Sequence, residues 1–132
     1  MLIRSDKKLR EIKYFKINTF NDLRGQIWTF WEKKYFRNID FNLDKFTVSK
    51  KNVLRGMHFQ MGKYSQSKLL RIIKGKILDV ICDLRVSSPS FKKIITIELT
   101  NKNILFLPKG IAHGFVSLDD NTILNYKDRR LT

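Results

Sequence analysis

Lys68-Leu69-Leu70-Arg71-Ile72-Ile73-Lys74-Gly75-Lys76-Ile77-Leu78-Asp79-Val80-Ile81-Cys82-Asp83-Leu84 is the stretch that decides the fold class. It contains two short runs rich in Leu, Ile and Val, broken by Lys74-Gly75-Lys76, and such runs bounded by turn residues read as β-strands. The same punctuation recurs downstream. Ile94 to Leu99, Ile104 to Leu107, Ala112 to Leu118 and Thr122 to Tyr126 are further strand-like runs, separated by Ser87-Ser88-Pro89-Ser90, Thr100-Asn101-Lys102-Asn103, Pro108-Lys109-Gly110 and Asp119-Asp120-Asn121. Many short strands at close spacing predict an all-β barrel or sandwich. Upstream the signal is less regular: Phe15 to Ile17 and Gly25 to Phe30 read as strands, and Glu32 to Asn38 as a helical turn or two. If Gly75-Lys76 is a type II′ loop, Lys68 falls opposite Asp83, Leu70 opposite Ile81 and Ile72 opposite Asp79, all on one face. Lys68 with Asp83 is then either a functional pair at the rim of an apolar interior or an exposed cross-strand ion pair.

The 132 residues, 42% of them hydrophobic and 12% aromatic, are expected to form one domain over 1–132 with its own core. The formal charge is +15. Its basic pairs (Lys7-Lys8, Lys33-Lys34, Lys50-Lys51, Lys92-Lys93, Arg129-Arg130) are scattered, with no basic helix or zinc-finger spacing. The charge therefore reads as a solvated surface, part of which a phosphate-bearing small ligand could use, rather than as a nucleic-acid interface. The one cysteine, Cys82, lies in an apolar run; no internal disulfide can form, and a packed hydrophobe in a reducing compartment is expected. No apolar stretch approaches a membrane span and the amino terminus lacks a secretory apolar run, so the expectation is a soluble, cytoplasmic protein without a membrane partner.

Chemistry concentrates in two motifs, Val53-Leu54-Arg55-Gly56-Met57-His58-Phe59-Gln60 and Pro108-Lys109-Gly110-Ile111-Ala112-His113-Gly114-Phe115. They hold the only two histidines, the side chains whose ordinary pKa lies nearest neutrality. With Gln66-Ser67-Lys68-Leu69-Leu70-Arg71, Gly75 to Val80, Asp83 to Phe91, Tyr126-Lys127 and Asp22-Leu23-Arg24-Gly25, they resemble the dTDP-4-dehydrorhamnose 3,5-epimerase family from about Phe15 to the carboxyl end. The resemblance implies a cupin jelly roll, a homodimer, and a reaction on a nucleoside-diphosphate 4-keto-6-deoxy sugar without metal or organic cofactor. By the same resemblance His58 is the base, Lys68 the cation beside the enolate oxygen and Tyr126 the acid; the hairpin register adds Asp83, as the partner of Lys68, to the catalytic candidates. Arg24, Arg55, Gln66, His113 and Phe115, together with Lys68, are implied to bind substrate. Metal-dependent cupins carry a His-x-His and a glutamate, whereas Phe59 and Gln60 follow His58 here.

Two features depart from the family. Leu43-Asp44-Lys45 and Thr29 stand where the family has a Gln-Asp-Asn stretch and a glutamate. The chain reads as a short member, ending at Thr132 before the family's usual carboxyl-terminal segment, so that either another group supports His58, with Asp79 or Asp83 as candidates, or the site is open and weakened. The favoured function is a cofactor-independent epimerase in surface-polysaccharide sugar synthesis. A sugar-nucleotide 3,4-ketoisomerase and a non-catalytic sugar-binding cupin are the alternatives.

Overall fold

A strand has only two hydrogen-bonding edges, and which neighbours occupy them determines how the strands assemble. The computed structural model of the protein describes residues 2–6, 9, 11–58 and 67–129, apart from the side chains of 2–4 and 58. The strands formed by these residues are β1 (Leu2–Ser5), β2 (Lys13–Lys16), β3 (Thr19–Asp22), β4 (Gly25–Trp28), β5 (Leu43–Ser49), β6 (Leu54–His58) and β7 (Lys68–Lys74), then β8 (Ile77–Asp83), β9 (Ile94–Leu99), β10 (Asn103–Leu107), β11 (Ile111–Ser117) and β12 (Thr122–Asp128). A six-stranded sheet runs β1-β2-β10-β7-β12-β5, a four-stranded sheet runs β6-β11-β8-β9, and β3-β4 form a separate hairpin. Neighbouring strands in the two large sheets and in the hairpin are antiparallel. The segment expected to be helical contributes one 3-10 turn, Lys33–Tyr35. Among the described residues no helix is long and apolar enough to cross a membrane.

The sheets correct the expected hairpin. β7 is flanked by β10 and β12, with Leu70 opposite Leu105 on one side and Tyr126 on the other. β8 is flanked by β11 and β9. Both edges of each strand are saturated, so β7 and β8 cannot pair. Gly75, at φ +85, instead carries the chain from one sheet to the other, and a Cβ there would lie 2.5 Å from the Thr122 hydroxyl. Lys68 therefore does not face Asp83.

The alternation itself is correct and places the core. Leu70 and Ile72 from one wall meet Ile77 and Ile81 from the other, with Leu99, Leu105, Leu107, Phe115 and Leu124 filling the interior. The outer face of the larger sheet carries a second cluster, Phe15, Ile17, Leu69 and Ile104, covered by Phe36 and by Phe30, Trp31, Tyr35 and Phe41. β7 thus buries both faces. Cys82, expected to be packed, is half-buried on the alternate face of β8.

Asp83 ends β8 as the anchor of the following loop. Its buried carboxylate accepts from the Arg85 backbone N–H at 2.9 Å, from Arg85 Nε at 2.9 Å and Nη2 at 2.9 Å, and from the Ser90 hydroxyl. Arg85 also pairs with Glu11. Burial raises the Asp83 pKa, but the Arg85 and Ser90 hydrogen bonds outweigh it and hold the carboxyl well below the usual carboxylate range. A depressed folded-state pKa confers stability that is complete above the unfolded value, about 4, and is lost as the pH falls toward the folded value. Asp83→Asn should cost about 3 kcal/mol at neutral pH and flatten the acid limb of the stability profile below pH about 4. Urea unfolding across that range checks both, and an unchanged acid limb would contradict the clasp.

Candidate active site

A lysine whose side chain points into a β-sandwich must find a counter-charge, because an unpaired ammonium there is costly. Lys68 opens β7 with its side chain 16% exposed, and the register of β7 with β12 sets Asp128 directly beside it. Lys68 Nζ lies 3.6 Å from Asp128 Oδ2, and that carboxylate is fully buried. The same ammonium sits 4.9 Å from the centre of the Tyr126 ring. Tyr126 and Asp128 are two residues apart on one strand, so alternation puts the phenol and the carboxylate on the same inward face.

The opposite wall supplies a second polar pair. His113 on β11 lies with Nδ1 3.2 Å from Asp79 Oδ1 on β8, and both residues are buried. Burial pushes the Asp79 carboxyl above its ordinary value, opposed by the His113 hydrogen bond and by attraction to Lys68. That attraction links the two walls electrically. Asp79 Oδ2 is buried and makes no hydrogen bond among the described residues, which leaves an acceptor facing the interior polar cluster. Asp79 thus supports His113; the expected pairing with His58 falls on a side chain outside the described residues.

His58 reaches the same place through its backbone. It is the Cα partner of His113 in the β6–β11 ladder; its side chain lies outside the described residues. The ladder is irregular between His113 and Phe115, and two glycines account for the close approach of the strands. A Cβ on Gly56 would stand 2.6 Å from Gly114 Cα, and Gly56 has φ +116, a region that L side chains rarely adopt. Only glycine fits that contact.

The other expected site residues divide. Phe115 packs in the main core, 4% exposed. Arg55 bridges the edges of the two sheets, donating from Nε to the Ser49 hydroxyl at 2.8 Å and from Nη2 to the Val48 carbonyl at 3.2 Å. Arg24 stands on the exposed β3–β4 hairpin, ion-paired with its neighbour Asp22 at 2.6 Å. Gln66 lies outside the described residues. Asp83, expected beside Lys68, is held by Arg85 and Ser90 as the loop anchor. The residue that the sequence reading missed is Asp128. The available signal was its two-residue spacing from Tyr126, hidden because that strand was read as ending at Tyr126. Among the described residues no three His, Cys, Asp or Glu side chains converge as a metal site requires.

An antiparallel sandwich with its polar cluster enclosed between two sheets defines a cupin-type protein. The comparisons with known proteins narrow this class. The dTDP-4-dehydrorhamnose 3,5-epimerase family profile matches residues 6–131. A dTDP-4-dehydrorhamnose 3,5-epimerase of Shigella flexneri is 37% identical over 127 residues, covering 91% of this chain and 70% of that protein. Among solved structures, the dTDP-6-deoxy-D-glucose-3,5-epimerase of Legionella pneumophila, in complex with dTDP-4-keto-L-rhamnose, aligns with a TM-score of 0.91 at 30% identity, over 99% of this chain and 72% of that one. The dTDP-4-dehydrorhamnose 3,5-epimerase of Bacillus anthracis, with TDP and pyrophosphate bound, aligns with a TM-score of 0.91 at 33% identity, over 99% of this chain and 78% of that one. The chain belongs to the dTDP-4-dehydrorhamnose 3,5-epimerase family, and is an epimerase of the isomerase class.

The glycine contact generates a prediction that separates close packing from backbone conformation. Gly56→Ala meets both a 2.6 Å backbone clash and a positive φ, whereas Gly114→Ala meets the Arg55 carbonyl at 3.0 Å, the flexible Met57 Sδ at 3.2 Å and the Gly56 Cα at 3.3 Å, without a positive φ. Gly56→Ala should therefore destabilise by about 3 kcal/mol and Gly114→Ala by less. Thermal unfolding of the two variants checks the order, and equal losses would contradict it.

Proposed function

We propose that this protein is a cofactor-independent epimerase of a dTDP-linked 4-keto-6-deoxyhexose, inverting carbons beside the ketone by proton removal from one face and proton return from the other. The observation that carries the reading is the interior cation: Lys68, paired with Asp128 and leaning over Tyr126, with Asp79 and His113 across from it. An imidazole taking a proton α to a ketone faces a mismatch of about ten pKa units, or about 14 kcal/mol, unless the enolate is stabilised. The base alone is insufficient. In a site shielded from water, an ammonium fixed where negative charge develops on the carbonyl oxygen supplies the larger share, and proton transfer itself contributes about a hundred- to ten-thousand-fold.

In this reading His58 removes the proton, Lys68 stabilises the enolate oxygen and Tyr126 returns a proton. Return of the proton to the face opposite the one it left inverts the stereocentre. His113, oriented by Asp79, and Arg55 hold sugar hydroxyls, with Phe115 beneath them, and Gln66 is a further substrate-binding candidate. Arg24 suits the diphosphate, where a guanidinium fork matches phosphate oxygens. The dTDP-4-keto-L-rhamnose in the Legionella enzyme and the TDP in the Bacillus enzyme support a thymidine-linked ligand. A homodimer accounts for the hairpin that carries Arg24, whose Phe20, Leu23 and Ile27 are exposed and which a second copy would cover. The proposed product, an activated deoxy sugar, suits a role in surface-polysaccharide synthesis, and the proposal sets the reaction in the cytoplasm.

Incubation with a dTDP-linked 4-keto-6-deoxyhexose in heavy water tests the reading. Deuterium should enter at C3 and C5 with inversion. His58→Asn should slow exchange by about a hundred- to ten-thousand-fold, and Tyr126→Phe should slow inversion more than exchange. A carbonyl displaced to its neighbour, or no exchange at all, would refute the epimerase.

A further inference from the structure

We infer that Asp128 is the positioning residue of the reaction centre: its buried carboxylate keeps the Lys68 ammonium protonated and aimed past the Tyr126 ring at the space between the sheets. The inference rests on the epimerase reading for the catalytic consequence, but not for the electrostatic one. Three observations carry it. Asp128 is fully buried, and its Oδ2 lies 3.6 Å from Lys68 Nζ. It is the register partner of Lys68, so the pair is fixed by the backbone of two central strands rather than by a mobile loop. It lies two residues beyond Tyr126, so one strand places both the counter-ion and the phenol ring beside the same ammonium, which stands 4.9 Å from the ring centre.

Among the described residues, the groups that face Lys68 set Asp128 as its nearest carboxylate. On β12 they are Tyr126 and Asp128. On β10 the register partner is the apolar Leu107. Across the sandwich, Asp79 on β8 is engaged by His113 on β11, and Asp83 at the end of β8 is occupied by Arg85 and Ser90. The backbone of β6 brings His58 opposite His113. Desolvation of an ammonium favours its neutral form, and a nearby carboxylate restores the charged form. Without Asp128 the charge that must face the enolate is lost at a lower pH, and its direction is no longer set.

Two variants of different size, Asp128→Asn and Asp128→Ser, test this with two independent readouts. The first needs no substrate: the Lys68 side-chain resonance in lysine-labelled protein, assigned through Lys68→Arg, is titrated by NMR. The proposal predicts that its midpoint falls by about one pH unit or more, a tenfold change in proton affinity. The second is deuterium exchange into the dTDP-linked 4-keto-6-deoxyhexose. There kcat should fall at least tenfold with KM within about threefold, the pattern of an interaction made only in the transition state. The alkaline limb of the kcat profile should move down by the same interval as the NMR midpoint. Asp128→Glu should recover part of both. An unmoved Lys68 midpoint overturns the proposal, and so does a shifted midpoint with unchanged kcat. Failure of both variants to fold assigns the pair to stability and overturns the positioning role. If the wild-type protein turns over no such sugar, the epimerase reading fails while the titration still decides whether Asp128 controls Lys68.

Discussion

A single ammonium held between a buried carboxylate and a phenol ring is the constraint around which the interior of this protein is organised. Taking a lysine and an aspartate out of water costs several kcal/mol for each ion, and their attraction offsets this only when the geometry is well fixed. A core built for stability alone would place two hydrophobes at positions 68 and 128. The ladder β10-β7-β12 instead spends two positions of its central strands on Lys68 and Asp128, while Leu70, Ile72, Leu105 and Leu124 continue the apolar wall beside them. The facing wall repeats the arrangement, with Asp79 and His113 set among Ile77, Ile81 and Phe115.

Elsewhere the positive charge has a structural use. Arg71 stacks 4.1 Å from the Phe30 ring and Lys127 lies 5.6 Å from the Trp31 ring, pinning the aromatic segment over the outer face of the larger sheet. Asn125, buried on that face, donates to Asp44 at 2.7 Å and to the Lys45 carbonyl at 3.1 Å, tying β5 to β12. Asp44 and Lys45 thus contribute to fastening an edge strand. The basic excess is divided between such contacts and solvent, which fits the scattering of its pairs along the sequence.

Strand positions were legible wherever alternation met turn chemistry. Ile94–Leu99 matches its reading residue for residue, and β7, β8, β10, β11 and β12 fall within two residues of theirs. Pairing was not legible, because periodicity reports which face of a strand is buried and says nothing of which distant strand takes each edge. That is why Lys68 was matched with Asp83, its neighbour across a local turn, rather than with Asp128, sixty residues away in sequence. β5 escaped notice because it is an edge strand whose Asp44, Lys45, Phe46 and Thr47 interrupt the apolar alternation, and most of it is exposed. Of the site, Lys68, Tyr126 and His113 were found through their motifs and come together around the interior cluster. The pairing of Asp79 with His113 and the place of Asp128 both required the tertiary register.

The central claim is that the space between the two sheets, floored by Lys68, Asp128 and Tyr126, receives the sugar. A crystal structure of the protein soaked with a dTDP-hexose tests it most directly. The hexose should lie between the sheets, with its C4 oxygen within hydrogen-bonding reach of Lys68 Nζ and its ring beside Tyr126 and His113. A hexose bound elsewhere, with the Lys68–Asp128 pair untouched, would contradict the account.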